Sequence, residues 1–257
     1  MKSLSLIFLP ILLFSHSLFA SLLVVPTRVE LDNQNRSATM SVVNKASETT
    51  RYNVYFEDKR MQANGVYVDI SKGESKTASS KFIRYSPRRF TLKPEEAGQV
   101  RLALRLPKNT AKGEYRSYIV FHQIPTTKPK QDNQEGNKVA LAIKAYLRIA
   151  IPVILRVGEL DADLSIENIS QKTEKSVMVT LNRTGLRSTY GDIEVYTVLN
   201  NQLVGTVKNA VIYPELEQRE FNVPLDKSLP AGTKLLIKYT ENSKLYNAKS
   251  VRMELTI

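Results

Sequence analysis

The chain has 257 residues, 42% hydrophobic and 24% charged, a globular composition that excludes a disordered polymer and suits one large or two ordinary domains. It has no cysteine, which excludes disulfides, thiolate metal sites, iron–sulfur clusters and a cysteine nucleophile. The formal charge is +12, from 37 Lys and Arg against 25 Asp and Glu, and no GxxxxGK, GxGxxG, HExxH or GxSxG occurs, so an enzyme is disfavoured.

The chain opens on Lys2, an almost wholly apolar run from Leu4 to Phe14, and then Ser15, Ser17 and Ala20. This order predicts a cleaved signal peptide over 1–20, with the cut after Ala20. The apolar run is shorter than the ~20 residues a spanning helix needs. Removing it takes away one charge, Lys2, and leaves +11 on an exported chain.

Short alternating runs follow in order. Val25, Thr27, Val29 and Leu31 alternate, as do Tyr52, Val54 and Phe56, and then Val100, Leu102, Leu104 and Leu106. Tyr118–Phe121 is compact and apolar, and Thr126–Asn137 reads as a solvated loop between strands. Val177–Leu181, Ile193–Leu199, Leu235–Tyr239 and Val251–Ile257 continue the habit. Period-two alternation with turn signals every ~8–12 residues predicts an all-β chain of antiparallel sandwiches, and two of ~100 residues fit. The predicted units are 21–157 and 158–257, with the boundary at Gly158 and the acidic stretch Glu159, Asp161 and Asp163.

Val139–Val157 is longer than the ~5–6 residues of a typical strand. Its odd positions Val139, Leu141, Ile143, Ala145, Leu147, Ile149 and Ile151 are all apolar, and Lys144 and Arg148 stand at even ones. Periodicity fits two arrangements. One is a central strand with its odd face in the core. The other is an edge strand whose aliphatic row is open to a partner chain.

The stretches VPTRVEL, SATMSVVN, RYNVYFED, SPRRFTLKP, QVRL and LPKNTAKGEYRSYIVFHQIP, in that order and spacing, resemble the periplasmic chaperones of the chaperone–usher pilus pathway, the PapD-like family. The resemblance spans roughly 21–157, and 158–257 carries only a compatible strand pattern. It implies two Ig-like domains set as a boomerang. It also implies a periplasmic chaperone that caps pilus or fimbrial subunits by donor-strand complementation and delivers them to an outer-membrane usher. No cofactor or metal is implied.

By the same resemblance, Arg28 and Arg148 anchor the C-terminal carboxylate of the subunit, with Lys144 as the alternative to Arg148. Val139, Leu141 and Ile143 form the donor row. Arg101 and Glu114 match an interdomain charge cluster. The family's arginine of that cluster is replaced by Pro152, and Arg156 is the candidate substitute. A subunit-free chaperone would self-associate by capping its own strand. The competing reading is a secreted Ig-like adhesin or structural sandwich. Nucleic acid is excluded as a partner by the export signal and by the scatter of the basic residues, of which Arg84, Arg88 and Arg89 are the densest group. His122 is read as structural.

Overall fold

The computed structural model describes residues 22–124, 145–242 and 248–257. The predicted signal peptide, the donor row Val139, Leu141 and Ile143, and Lys144 all lie outside the described residues. The regular structure of the described chain is all strand apart from a single 3-10 turn at Ser79–Phe82.

Ten strands precede Gly158. They are β1 (Leu22–Val25), β2 (Val29–Leu31), β3 (Ser37–Asn44), β4 (Thr50–Met61), β5 (Tyr67–Ile70), β6 (Ile83–Ser86), β7 (Arg89–Leu92), β8 (Ala97–Leu104), β9 (Gly113–Ile124) and β10 (Arg148–Val157). They form one sheet in the order β1-β3-β8-β6 and a second in the order β2-β10-β9-β4-β5, with β7 also paired to β4. The two sheets close over one core. Leu22, Val24, Met40, Val42, Val100 and Leu102 come from the first sheet; Val29, Leu31, Tyr52, Val54, Phe121, Val153 and Leu155 come from the second.

Seven strands follow. They are β11 (Ala162–Thr173), β12 (Ser176–Gly185), β13 (Thr189–Thr197), β14 (Leu203–Ile212), β15 (Gln218–Pro224), β16 (Lys234–Glu241) and β17 (Ser250–Thr256). Their sheets, β11-β12-β15 and β14-β13-β16-β17, enclose a separate core that includes Val179, Leu181, Ile193, Val195, Phe221, Leu235 and Tyr239. Between the two sets of strands, Gly158 takes φ +80°, a left-handed conformation that favours glycine. The chain is thus all-β, built on two sandwiches of Ig-like type.

Two expectations change in the structure. The alternation read through Val25–Leu31 divides into β1 and β2, which belong to different sheets, and the parity shifts between them. Val24 is buried and Val25 is half exposed, whereas Val29 and Leu31 are buried. Of Val139–Val157 the structure describes residues 145–157, in which 145–147 are irregular and strand runs from Arg148. On β10 the odd residues Ile151, Val153, Leu155 and Val157 are core. That part of the run is an interior strand, flanked by β9 and β2.

Candidate functional site

Because the odd side chains of β10 enter the core, its even side chains face the other way. Register extends this outward face across four strands. Arg148 lies opposite His122 of β9, Pro152 opposite Tyr118, Ile154 opposite Arg116, and Arg156 opposite Glu114. On β4, Asn53 pairs with His122 and Glu57 with Tyr118. On the other side β2 runs parallel to β10, with Val29 beside Val153 and Glu30 beside Ile154. Arg28, just before β2, therefore stands level with Pro152.

At one end this face is closed by the second sandwich through a buried charge network. The Arg156 guanidinium donates to Glu114 Oε2 at 2.9 Å and to Glu30 Oε2 at 3.1 Å. Ser188 donates to the same Glu114 oxygen from its backbone N–H and its hydroxyl, both at 2.9 Å. Arg28 donates from Nε to Glu30 Oε1 at 2.7 Å, approaches Ser188 Oγ at 3.4 Å, and stacks its guanidinium 4.7 Å from the Tyr190 ring centre. Burial pushes the Glu30 carboxyl up, but Arg156 and Arg28 outweigh it and hold it below its ordinary value. Behind Ser188, Arg187 grips Glu241 with two hydrogen bonds at 2.7 and 3.2 Å.

Midway along the face the two sandwiches share a small apolar contact of Met61 and Ile154 with Val211 and Tyr213, all buried. Arg116 spans it. Its guanidinium lies 3.5 Å from the Tyr213 ring centre and donates to Glu215 at 2.5 and 3.2 Å and to the Lys59 carbonyl at 3.0 Å. Glu215 also accepts the Met61 N–H at 3.0 Å. Burial would lower the Arg116 pKa, but Tyr118 and Glu215 reverse that and raise it.

Among the described residues the other end is open. Arg148 begins β10 with a side chain 43% exposed, and its ion pair is to Glu57 of β4. Beside it, Tyr55 Oη and His122 Nδ1 lie 3.2 Å apart. Glu57 is four residues of register from Arg148, so the long guanidinium reaches back over the sheet toward the level of Pro152.

The face therefore carries both predicted anchors, Arg28 and Arg148, on or beside adjacent strands. Each has its own counter-ion, Glu30 or Glu57. Their backbones are staggered by four residues along β10, about 13 Å at 3.3 Å per residue. The side chain of Arg28 is only 11% exposed. Glu114 sits in the charge network, and its arginine partner is Arg156 rather than Arg101. Arg101 is on β8, in the other sheet, where its side chain is exposed and faces Thr39 and Ser86. The two sheets are back to back, so a residue on the outer face of β8 cannot reach Glu114.

Glu30, Glu57, Ser188 and Glu215 were not singled out by sequence reasoning. Glu30 carried a usable signal, since a carboxylate two residues after Arg28 on a strand shares its face. Glu57, Ser188 and Glu215 had none, because register and the second sandwich bring them in. Among the described residues no cluster of acidic or histidine side chains could hold a metal ion.

The family model described as pili and flagellar-assembly chaperone, PapD N-terminal domain, matches residues 21–160. A search of curated proteins gives no match. Similar solved structures include the E. coli chaperone DraB, at 16% identity over 91% of this chain and 98% of that one, with a TM-score of 0.47. The Pseudomonas aeruginosa CupB2 chaperone has 11% identity, coverage of 91% and 100%, and a TM-score of 0.47. The CsuC–CsuE chaperone–tip adhesion subunit complex of Acinetobacter baumannii Csu pili has 11% identity, coverage of 90% and 98%, and a TM-score of 0.49.

Proposed function

Since the chain belongs to the pili and flagellar-assembly chaperone family, we propose that it acts in the periplasm, after cleavage behind Ala20, as a cap for pilus subunits bound for an outer-membrane usher. The units are 21–157 and 158–257, set at an angle about the contact of Met61 and Ile154 with Val211 and Tyr213. The subunit lies along the open end of the β2-β10-β9-β4 face. Val139, Leu141 and Ile143, leading into β10, supply the missing strand of its incomplete sandwich. Alternate side chains fill its pockets, and backbone hydrogen bonds set the direction. Arg28 and Arg148 receive its C-terminal carboxylate, which fixes register, because a one-residue slip would turn Lys144 and Arg148 into the apolar pockets.

The observation that carries this reading is the position of Arg148. It is an exposed guanidinium at the start of β10, on the same outward face as Arg28, paired with Glu57. Guanidinium suits the task because it grips a carboxylate with two parallel hydrogen bonds. The test is co-purification of subunit from the periplasm. Arg28→Ala and Arg148→Ala should each abolish capture, and Lys144→Ala should be milder. If Lys144→Ala is severe and Arg148→Ala is silent, the anchor is displaced by four residues and this assignment fails.

A further inference from the structure

The sheet β1-β3-β8-β6 has an outer face that the proposed subunit site does not use. Along β8 it presents Gln99, Arg101 and Ala103, with Arg105 just beyond its end, and along β6 it presents Arg84 and Ser86. Arg84 lies opposite Ala103, diagonal to both Arg101 and Arg105, a spacing of ~7–8 Å at the backbone. The three guanidiniums thus surround one alanine. All three are exposed, and none has a hydrogen bond or ion pair among the described residues. Arg28, Arg116, Arg148, Arg156 and Arg187, by contrast, each face a carboxylate.

The same face is apolar along its other edge. On β1, Leu23 is 47% and Val25 50% exposed, and Leu23 lies opposite the half-buried Val43. Ser37, Thr39 and Ser41 of β3 join the two zones. Among the described residues the face itself carries no carboxylate. Those of the adjoining turn are Glu95 and Glu96, at the end near Val43, and Glu95 is paired with Lys45.

We propose that this face docks on the surface of an anionic lipid bilayer. Arg84, Arg101 and Arg105 would sit on lipid phosphates, with Leu23 and Val25 entering the headgroup boundary. The argument is complementarity: unpaired basic groups beside exposed aliphatics on one flat face, with no acid between them, match a surface that is anionic outside and apolar just beneath. An acidic protein partner would match the arginines but give Leu23 and Val25 no role. Docking by this face leaves the β2-β10-β9-β4 face, on the opposite side of the sandwich, free for a subunit.

The test is flotation of the protein recovered from the periplasm with vesicles of phosphatidylcholine, alone or with roughly 30% phosphatidylglycerol. Binding should require the anionic lipid and weaken as salt rises. Each arginine near an anionic surface is worth about fivefold. Arg84→Ser/Arg101→Ser/Arg105→Ser should therefore lose about a hundredfold, and the corresponding triple change to lysine should bind nearly as wild type. A control with the same charge loss on exposed residues elsewhere, Lys172→Ser/Lys175→Ser/Lys227→Ser, should lose no more than severalfold. Leu23→Ser/Val25→Ser should weaken binding with its salt dependence unchanged. The proposal is overturned if wild type ignores anionic vesicles, binds neutral ones equally, or loses as much in the control as in the arginine variant. All substituted positions are exposed, and thermal unfolding checks that each variant is folded.

Discussion

The two ends of the β2-β10-β9-β4 face place the same chemistry in opposite surroundings. At the closed end Arg156, Glu114, Glu30 and Ser188 form a network in which the Arg156 and Glu114 side chains are 6% and 1% exposed. At the open end Arg148 and Glu57 are 43% and 21% exposed, so water reaches their pairing chiefly from the Arg148 side. Burial makes the first network expensive to break, because removing one member strands another in a medium that cannot solvate it. Exposure makes the second pair nearly free to exchange, because water and a competing carboxylate replace either partner. If Arg148 receives a subunit that must later be released, its exposed pair suits that task, whereas a contact that holds two sandwiches in register needs the first kind.

The closed end should therefore give the largest effect. Arg156→Met keeps the side-chain volume but leaves the Glu114 carboxylate buried with Ser188 as its remaining polar partner. Breaking a buried pair in this way costs about 3–5 kcal/mol. Denaturant unfolding should show a loss of this size. A loss below about 1 kcal/mol would mean that the network is loosely held and that the contrast between the two ends is one of degree.

A smaller effect should appear with pH, and its sign follows from Glu30. Its carboxyl is held below its ordinary value in the folded chain, so its stabilising contribution is present above the unfolded pKa, near 4.5, and is lost as pH falls through the folded value. Stability should decline on acidification below about pH 4.5, and Glu30→Gln should flatten part of that decline while lowering stability at neutral pH. Unfolding curves across the acid range decide this. A decline unchanged by Glu30→Gln would place the acid-sensitive group elsewhere.

Much of the fold was legible, because period two states which face of a strand is buried. Val100, Leu102 and Leu104 alternate and are core, and the same holds for Val177–Leu181 and Leu235–Tyr239. Alternation does not state which sheet a strand joins, so Val25–Leu31 read as one strand where there are two. The site rests on a different signal. Arg28 and Arg148 stand out through the family resemblance, since alternation alone reads them as solvated charges beside strands. The counter-ion of Arg28 is two residues along the chain, but that of Arg148 lies two strands away on β4, and the distance from Arg148 to Glu57 along the chain carries no trace of their pairing. Arg101 was assigned to the charge cluster although strand order places β8 in the opposite sheet, where its side chain faces solvent. Arg156, four residues beyond Pro152, has the outward parity on β10 that the cluster requires.

The smallest effect belongs to the open end, and it bears most directly on mechanism. If Arg148 receives a subunit carboxylate, Glu57 competes with it for the same guanidinium in the free protein. Exposed ion pairs are worth about 0.2–1 kcal/mol, so releasing Arg148 can strengthen capture by no more than about fivefold. Glu57→Gln should therefore leave thermal stability almost unchanged and tighten subunit binding by up to that factor. The gain should vanish in the background of Arg148→Ala, where there is nothing left to release. Competition binding against wild type, with subunit held limiting, resolves a change of this size. If Glu57→Gln weakens capture instead, Glu57 serves the complex by holding Arg148 in place, and the open end would resemble the closed one more closely than its exposure suggests.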